Sequence, residues 1–173
     1  MRDHAVSWAD DEQGFLAELA RGRRAEYRVA IALLEAGHAV RVGQVETRDN
    51  GEPIWRTWEH GDRFADQADL IVNERHTLEV KSRALTFTGP DDFPFDTALI
   101  GSARRWKART VMPMGVVIVS DATDARIFVP STTAHMWQVR DQRDGVRDYE
   151  DKSVHVPRAC LRTWDFLLRE LAA

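Results

Sequence analysis

The chain has 173 residues, one cysteine and a net charge of −4, with 43% hydrophobic and 30% charged residues. That length supports a core of ordinary domain size, and the mixture argues against wholesale disorder. It excludes an internal disulfide or a multi-cysteine zinc cluster, and no apolar run approaches the length of a membrane helix.

Charge is unevenly spread. Arg21, Arg23, Arg24 and Arg28 crowd one stretch, and Arg104, Arg105, Lys107 and Arg109 another, within a span from Thr97 to Ser120 that has no acidic residue. Such patches on an acidic chain are compatible with a polyanion at one face, and equally with two solvated helix faces. Near the N-terminus, Asp10, Asp11 and Glu12 break any basic-then-apolar leader pattern, so a cytoplasmic, non-membrane protein is expected.

In chain order, apolar spacing predicts a helix over residues 10–36, with Gly22 as a candidate interruption and Gly37 as its stop. "HAVRVGQVETR" alternates as a strand before an Asn50-Gly51 turn, and "PIWRTW" is a candidate return strand. Residues 68–83, "ADLIVNERHTLEVKSR", form a hairpin, and "TFTGPDDFPFD" a loop. "TALIGSARRWKART" suits a helix ending at Met112-Pro113. "GVVIVSD" is β-branched enough for a buried central strand, with "ARIFVP" as its partner. "HMWQVR" and "KSVHVP" are weaker strands, and "RACLRTWDFLLREL" closes the chain as an amphipathic helix. The expected architecture is a mixed α/β fold in a single domain over residues 1–173, its core at about 21–130 and its last strands and helix at 131–173.

The hairpin is chemically unusual. Strand side chains alternate, so Glu79 and Lys81 share one face while Leu78 and Val80 share the other. A turn centred on Glu74 places Asp69 opposite Glu79, two like charges that repel and that burial makes worse. A divalent cation between them removes the conflict. Glu26 interrupts the helical stripe Leu19, Gly22, Ala30, Leu33 and needs an interior partner, which such a cation would supply; pairing with Arg23 or Lys81 would serve as well. Hard oxygen ligands favour Mg²⁺ or Mn²⁺ over zinc. Asp66 is a rival ligand, ranked below Asp69 because it precedes the apolar run.

The run "ADLIV…LEVKSR" resembles the signature of the PD-(D/E)xK nuclease superfamily, whose fold is a restriction-endonuclease-like mixed β-sheet flanked by helices. "GRRAEYRVAIALLEAGHAV" is similar to the helix-first arrangement of Holliday-junction-resolvase-like and related phage and repair nucleases. The signature's aspartate, glutamate and lysine fall on Asp69, Glu79 and Lys81, and the helical acid on Glu26; Ala68 stands where the superfamily's name has proline. The resemblance implies a metal-dependent deoxyribonuclease. Asp69, Glu79, the Val80 carbonyl and Glu26 would hold Mg²⁺ or Mn²⁺, and Lys81 would assist the attacking water. DNA is the implied partner, met by Arg83, Arg105, Lys107 and Arg109, with Trp106 available for stacking if exposed but more in keeping with a core residue. A homodimer stays open. The alternative is a catalytically inactive nuclease-fold module that binds nucleic acid or a protein, its charges kept as a salt-bridge network. Duplex, single-stranded or branched DNA, RNA, endonuclease or exonuclease action, and sequence preference are all left open by these residues.

Overall fold

In the computed structural model the described residues are 8–43, 68–107, 109, 111–143 and 150–173. The first helix, α1 (Trp8–Glu35), is one continuous element of 28 residues. Gly22 does not divide it: one glycine costs about 1 kcal/mol in a helix, which the packing of the following turns offsets. Ala25, Val29, Ala30 and Leu33 are buried on its inner face. Gly37 ends it at φ 90, in the left-handed region that a helix stop of this kind requires.

Next come β1 (Val40–Val42), β2 (Leu70–Val72) and β3 (His76–Arg83). The expected Asn50-Gly51 turn, the "PIWRTW" strand, the part of the first strand beyond Gly43 and the rival ligand Asp66 lie outside the described residues. The hairpin register pairs Leu70 with Leu78, Ile71 with Thr77 and Val72 with His76. Its turn is centred on Glu74, and Asn73 and Glu74 both take positive φ (51 and 60). Continuing this register one step brings Asp69 opposite Glu79, as the alternation requires.

Residues 97–107 depart from the expected continuous helix. They begin as a strand, β4 (Thr97–Ser102), and only the short helix α2 (Ala103–Lys107) follows. Alternation explains the difference: Ala98 and Ile100 are buried while Thr97 and Leu99 are half-buried. Long-range pairing with a later strand, through residues Ser153 to Pro157, then overrides the local helix preference of alanine and leucine. β5 (Gly115–Ser120) is buried at every position and β6 (Arg126–Pro130) pairs against it. A 3-10 helix (Ser131–Met136) leads to β7 (Gln138–Arg143) and then β8 (Glu150–Pro157). The closing segment is helical for less of its length than its periodicity implies: a 3-10 turn (Arg158–Cys160) and the two-residue β9 (Arg162–Thr163) precede α3 (Trp164–Ala172). Thr163 sets that start, its hydroxyl accepting the Phe166 N–H as an N-cap.

The main sheet has six strands in the order β1-β2-β3-β5-β6-β9. β3 and β5 are parallel and every other pair is antiparallel. A second sheet has the order β4-β8-β7. The alternating residues of the main sheet feed two cores. Leu70, Val72, Leu78, Val80, Val117, Val119 and Phe128 pack with α1 and α3; Val116, Ile118, Ile127 and Val129 pack with the second sheet and with Phe87 and Phe93. The molecule is thus a mixed α/β fold of three layers, helices, six-stranded sheet and three-stranded sheet. Among the described residues no helix is long and apolar enough to cross a membrane.

Candidate active site

Because Leu78 and Val80 belong to the helix-side core, Glu79 and Lys81 face the opposite side. Glu79 lies in register with Val116 and Lys81 with Ile118, both residues of the second core. The sheet therefore delivers a carboxylate and an ammonium into an otherwise apolar layer. Glu79 is only 4% exposed. Its Oε2 lies 3.2 Å from Lys81 Nζ, and its Oε1 lies 2.6 Å from Arg109 Nη2. A buried carboxylate of this kind is tolerated because cations and hydrogen bonds replace its lost hydration.

Asp69 stands at the mouth of the same hairpin. Its Oδ2 accepts the Val80 N–H at 2.7 Å and lies 4.0 Å from Lys81 Nζ. Lys81 thus sits between the two carboxylates whose repulsion the sequence exposes. Burial is the largest influence on Asp69 and pushes its pKa above the ordinary carboxylate value; the Lys81 charge opposes this and the Glu79 charge adds to it.

Glu26 enters from helix α1. Arg23 Nη1 donates to Glu26 Oε2 at 2.5 Å and to the Gly43 carbonyl at 2.9 Å. The Gly43 N–H in turn donates to the Asp69 carbonyl at 2.8 Å. This relay ties α1 to the strand end that carries Asp69. It needs glycine at 43, since a Cβ there would lie 2.6 Å from the Ala68 carbonyl oxygen. Burial, then the charge of Asp69, raises the Glu26 pKa to about 7, with Arg23 and Lys81 pulling the other way.

Asp69, Glu79 and Lys81 are therefore brought together, with Arg109 joined to them through Glu79. Glu26 is electrostatically close to Asp69 and Lys81, yet its nearest partner is Arg23. Among the described residues no group of three acidic, histidine or cysteine side chains is placed to hold a metal ion.

The residues expected to meet DNA divide into three kinds. Lys107 is exposed. Arg83 is half-buried and donates to the Leu99 carbonyl at 2.7 Å and the Ser82 carbonyl at 3.0 Å, fastening the end of β3 to β4. Arg109 lies beyond the end of α2 with its side chain 11% exposed, stacked 4.9 Å from the Trp106 ring and directed at Glu79. The side chain of Arg105 lies outside the described residues. Trp106 is half-buried and meets Trp137 edge-on at 5.2 Å, so it packs within the second core.

Three features of the site are not visible in the hairpin motif. The Arg109–Glu79 contact joins residues thirty positions apart and has no local signal. Gly43 does have one, a glycine inside an alternating strand pattern, which marks close backbone approach. Asp121 follows β5 and receives the Ser82 hydroxyl, with Arg21 Nε at 3.6 Å and Arg28 Nη2 at 3.5 Å; it anchors the arginine-rich part of α1 to the sheet beside the candidate site.

No family model matches the chain, and no curated protein matches it. Among solved structures, a Holliday junction resolvase, Hjc from the archaeal hyperthermophile Archaeoglobus fulgidus, superposes with a TM-score of 0.45 at 12% sequence identity, covering 86% of this chain and 98% of that one. The likeness is distant.

Proposed function

We propose that this protein is a divalent-metal-dependent nuclease that hydrolyses phosphodiester bonds of DNA. One observation carries the reading: Asp69, immediately before β2, and Glu79 on the neighbouring β3 flank the Lys81 amine at 4.0 and 3.2 Å. The donor set fits a hard cation, since Mg²⁺ takes one or two carboxylates and completes its shell with other oxygens. Glu79 Oε1 is buried and, despite its close approach to Arg109, receives no well-directed hydrogen bond. Asp69, made more basic by burial, has a second oxygen to offer. Asp69, Glu79 and the Val80 carbonyl would hold Mg²⁺ or Mn²⁺, with Glu26 reaching it through water or after release from Arg23.

When bound, the cation would polarise the scissile phosphate and lower the pKa of a coordinated water. The chain's own groups do the remainder. Lys81 orients the attacking water and offsets negative charge on the phosphate oxygens. Lys107 meets the nucleic-acid backbone from outside, whereas Arg83 and Arg109 reach it only by leaving protein partners.

The ion pairing at Glu79 favours a second reading, a nuclease-fold module without catalysis whose charges survive as a structural network. Plasmid and end-labelled oligonucleotide cleavage separates the two. The nuclease cuts DNA only with Mg²⁺ or Mn²⁺, and Lys81→Ala lowers the rate by about 10²-fold or more while leaving the fold intact by circular dichroism. DNA binding without cleavage under every metal condition supports the module instead.

A further inference from the structure

Glu79 is surrounded by more positive charge than a metal ligand can keep. Its two oxygens face Lys81 and Arg109, and Lys81 also serves Asp69. Two carboxylates are thus already matched by two cations. A divalent ion added to this cluster would leave it strongly positive in a partly desolvated layer, which Coulomb's law penalises heavily there. Lys81 cannot be the group that yields, because it lies between both carboxylates on the strand itself. Arg109 can: it comes from another segment, beyond the end of α2, and meets Glu79 end-on rather than through a paired two-bond contact. Its Nε has no hydrogen-bond partner among the described residues, and Glu79 Oε1 has no directed one. The Trp106 ring at 4.9 Å gives the guanidinium a flat surface that holds it by stacking as well as by charge.

We propose that Arg109 is a displaceable counter-ion that stands at Glu79 in the metal-free protein and sets the affinity of the site for its divalent cation. The inference rests on the nuclease reading above and adds to it how the site is regulated. Arg109 keeps Glu79 buried and neutralised while no metal is present, and metal entry requires the guanidinium to leave Oε1. The released arginine then faces the cluster as a free cation. Substrate phosphate, which brings negative charge to the same place, favours that release, so metal and nucleic acid load together rather than separately.

The test is Mn²⁺ binding to the full chain without nucleic acid, followed by isothermal titration and by loss of the free-ion electron paramagnetic resonance signal. Arg109→Gln is expected to bind Mn²⁺ about tenfold or more tightly than the wild type, because one competing charge has been removed. Arg109→Lys covers the case in which the glutamine variant does not fold. It keeps the charge but loses the flat stack and the reach, and a tightening of about threefold is expected. Glu79→Gln should abolish the tight binding in either background. Unchanged or weaker Mn²⁺ binding in the arginine variants, with binding still lost in Glu79→Gln, overturns the counter-ion role and leaves the metal site standing. If no variant takes up Mn²⁺ in a way that depends on Glu79, the metal-site reading itself fails and the inference goes with it.

Discussion

Replacing Glu26 by glutamine in the metal-free protein should make stability less dependent on pH. Glu26 lies beside Asp69 in a half-buried position, and its pKa is raised from the ordinary 4.5 to about 7. The folded state therefore binds the proton more tightly than the unfolded chain. This contribution to stability is fully present below about pH 4.5 and is lost as pH rises through about 7. A shift of this size corresponds to about 3 kcal/mol at most. Solvent reaches part of the carboxylate and the Arg23 pair is shared with the Gly43 carbonyl, so about 1–2 kcal/mol is the expected magnitude. Glutamine resembles the protonated acid at every pH and also removes one negative charge from the neighbourhood of Asp69. Urea denaturation of wild type and Glu26→Gln at pH 5 and at pH 8 measures the effect as a difference of differences, in which the other titrating groups largely cancel. The variant should equal the wild type or fall slightly below it at pH 5, and exceed it at pH 8. A stability difference that does not change between the two pH values would refute the reasoning and would mean that Arg23 keeps Glu26 ionised throughout.

Further outcomes follow from packing and capping. Gly43→Ala forces a methyl group against the Ala68 carbonyl at 2.6 Å; it should cost about 1–3 kcal/mol in urea denaturation and, on the proposed nuclease reading, lower DNA cleavage more than stability alone explains by displacing the strand end that carries Asp69. Thr163→Ala removes the hydroxyl that caps α3 through the Phe166 N–H; about 1 kcal/mol of stability should be lost in thermal or chemical denaturation, and the proposed nuclease activity should be unchanged under conditions where both proteins are folded.

The elements that could be read ahead of the structure are those whose pattern is local and repeated. The hairpin register was legible because a strand has a period of two, so one turn position and a few alternating residues determine which side chains meet; Asp69 opposite Glu79 follows from that symmetry alone. β5 was legible because a run of β-branched residues has few other uses. Residues 97–102 were not, since "TALIGS" satisfies helix and strand preferences almost equally and its choice is made by β8, more than fifty residues away. Gly22 shows the same limit in reverse: its local preference for a break yields to the burial of Ala25, Val29 and Leu33 beyond it.

The candidate site divides along the same line. Its carboxylates and amine are written into one short hairpin, and the elementary repulsion between two facing acids is enough to ask for a cation there. Which protein cation stands at each carboxylate is another matter. Arg109 reaches Glu79 across thirty positions because the packed layers bring the segment beyond α2 against β3, whereas Arg23 holds Glu26 from one turn earlier on the same helix, a contact that helical spacing alone provides. Charge attracts whatever comes within a few ångströms, and for a partner as distant in sequence as Arg109 only the packed layers decide what that will be.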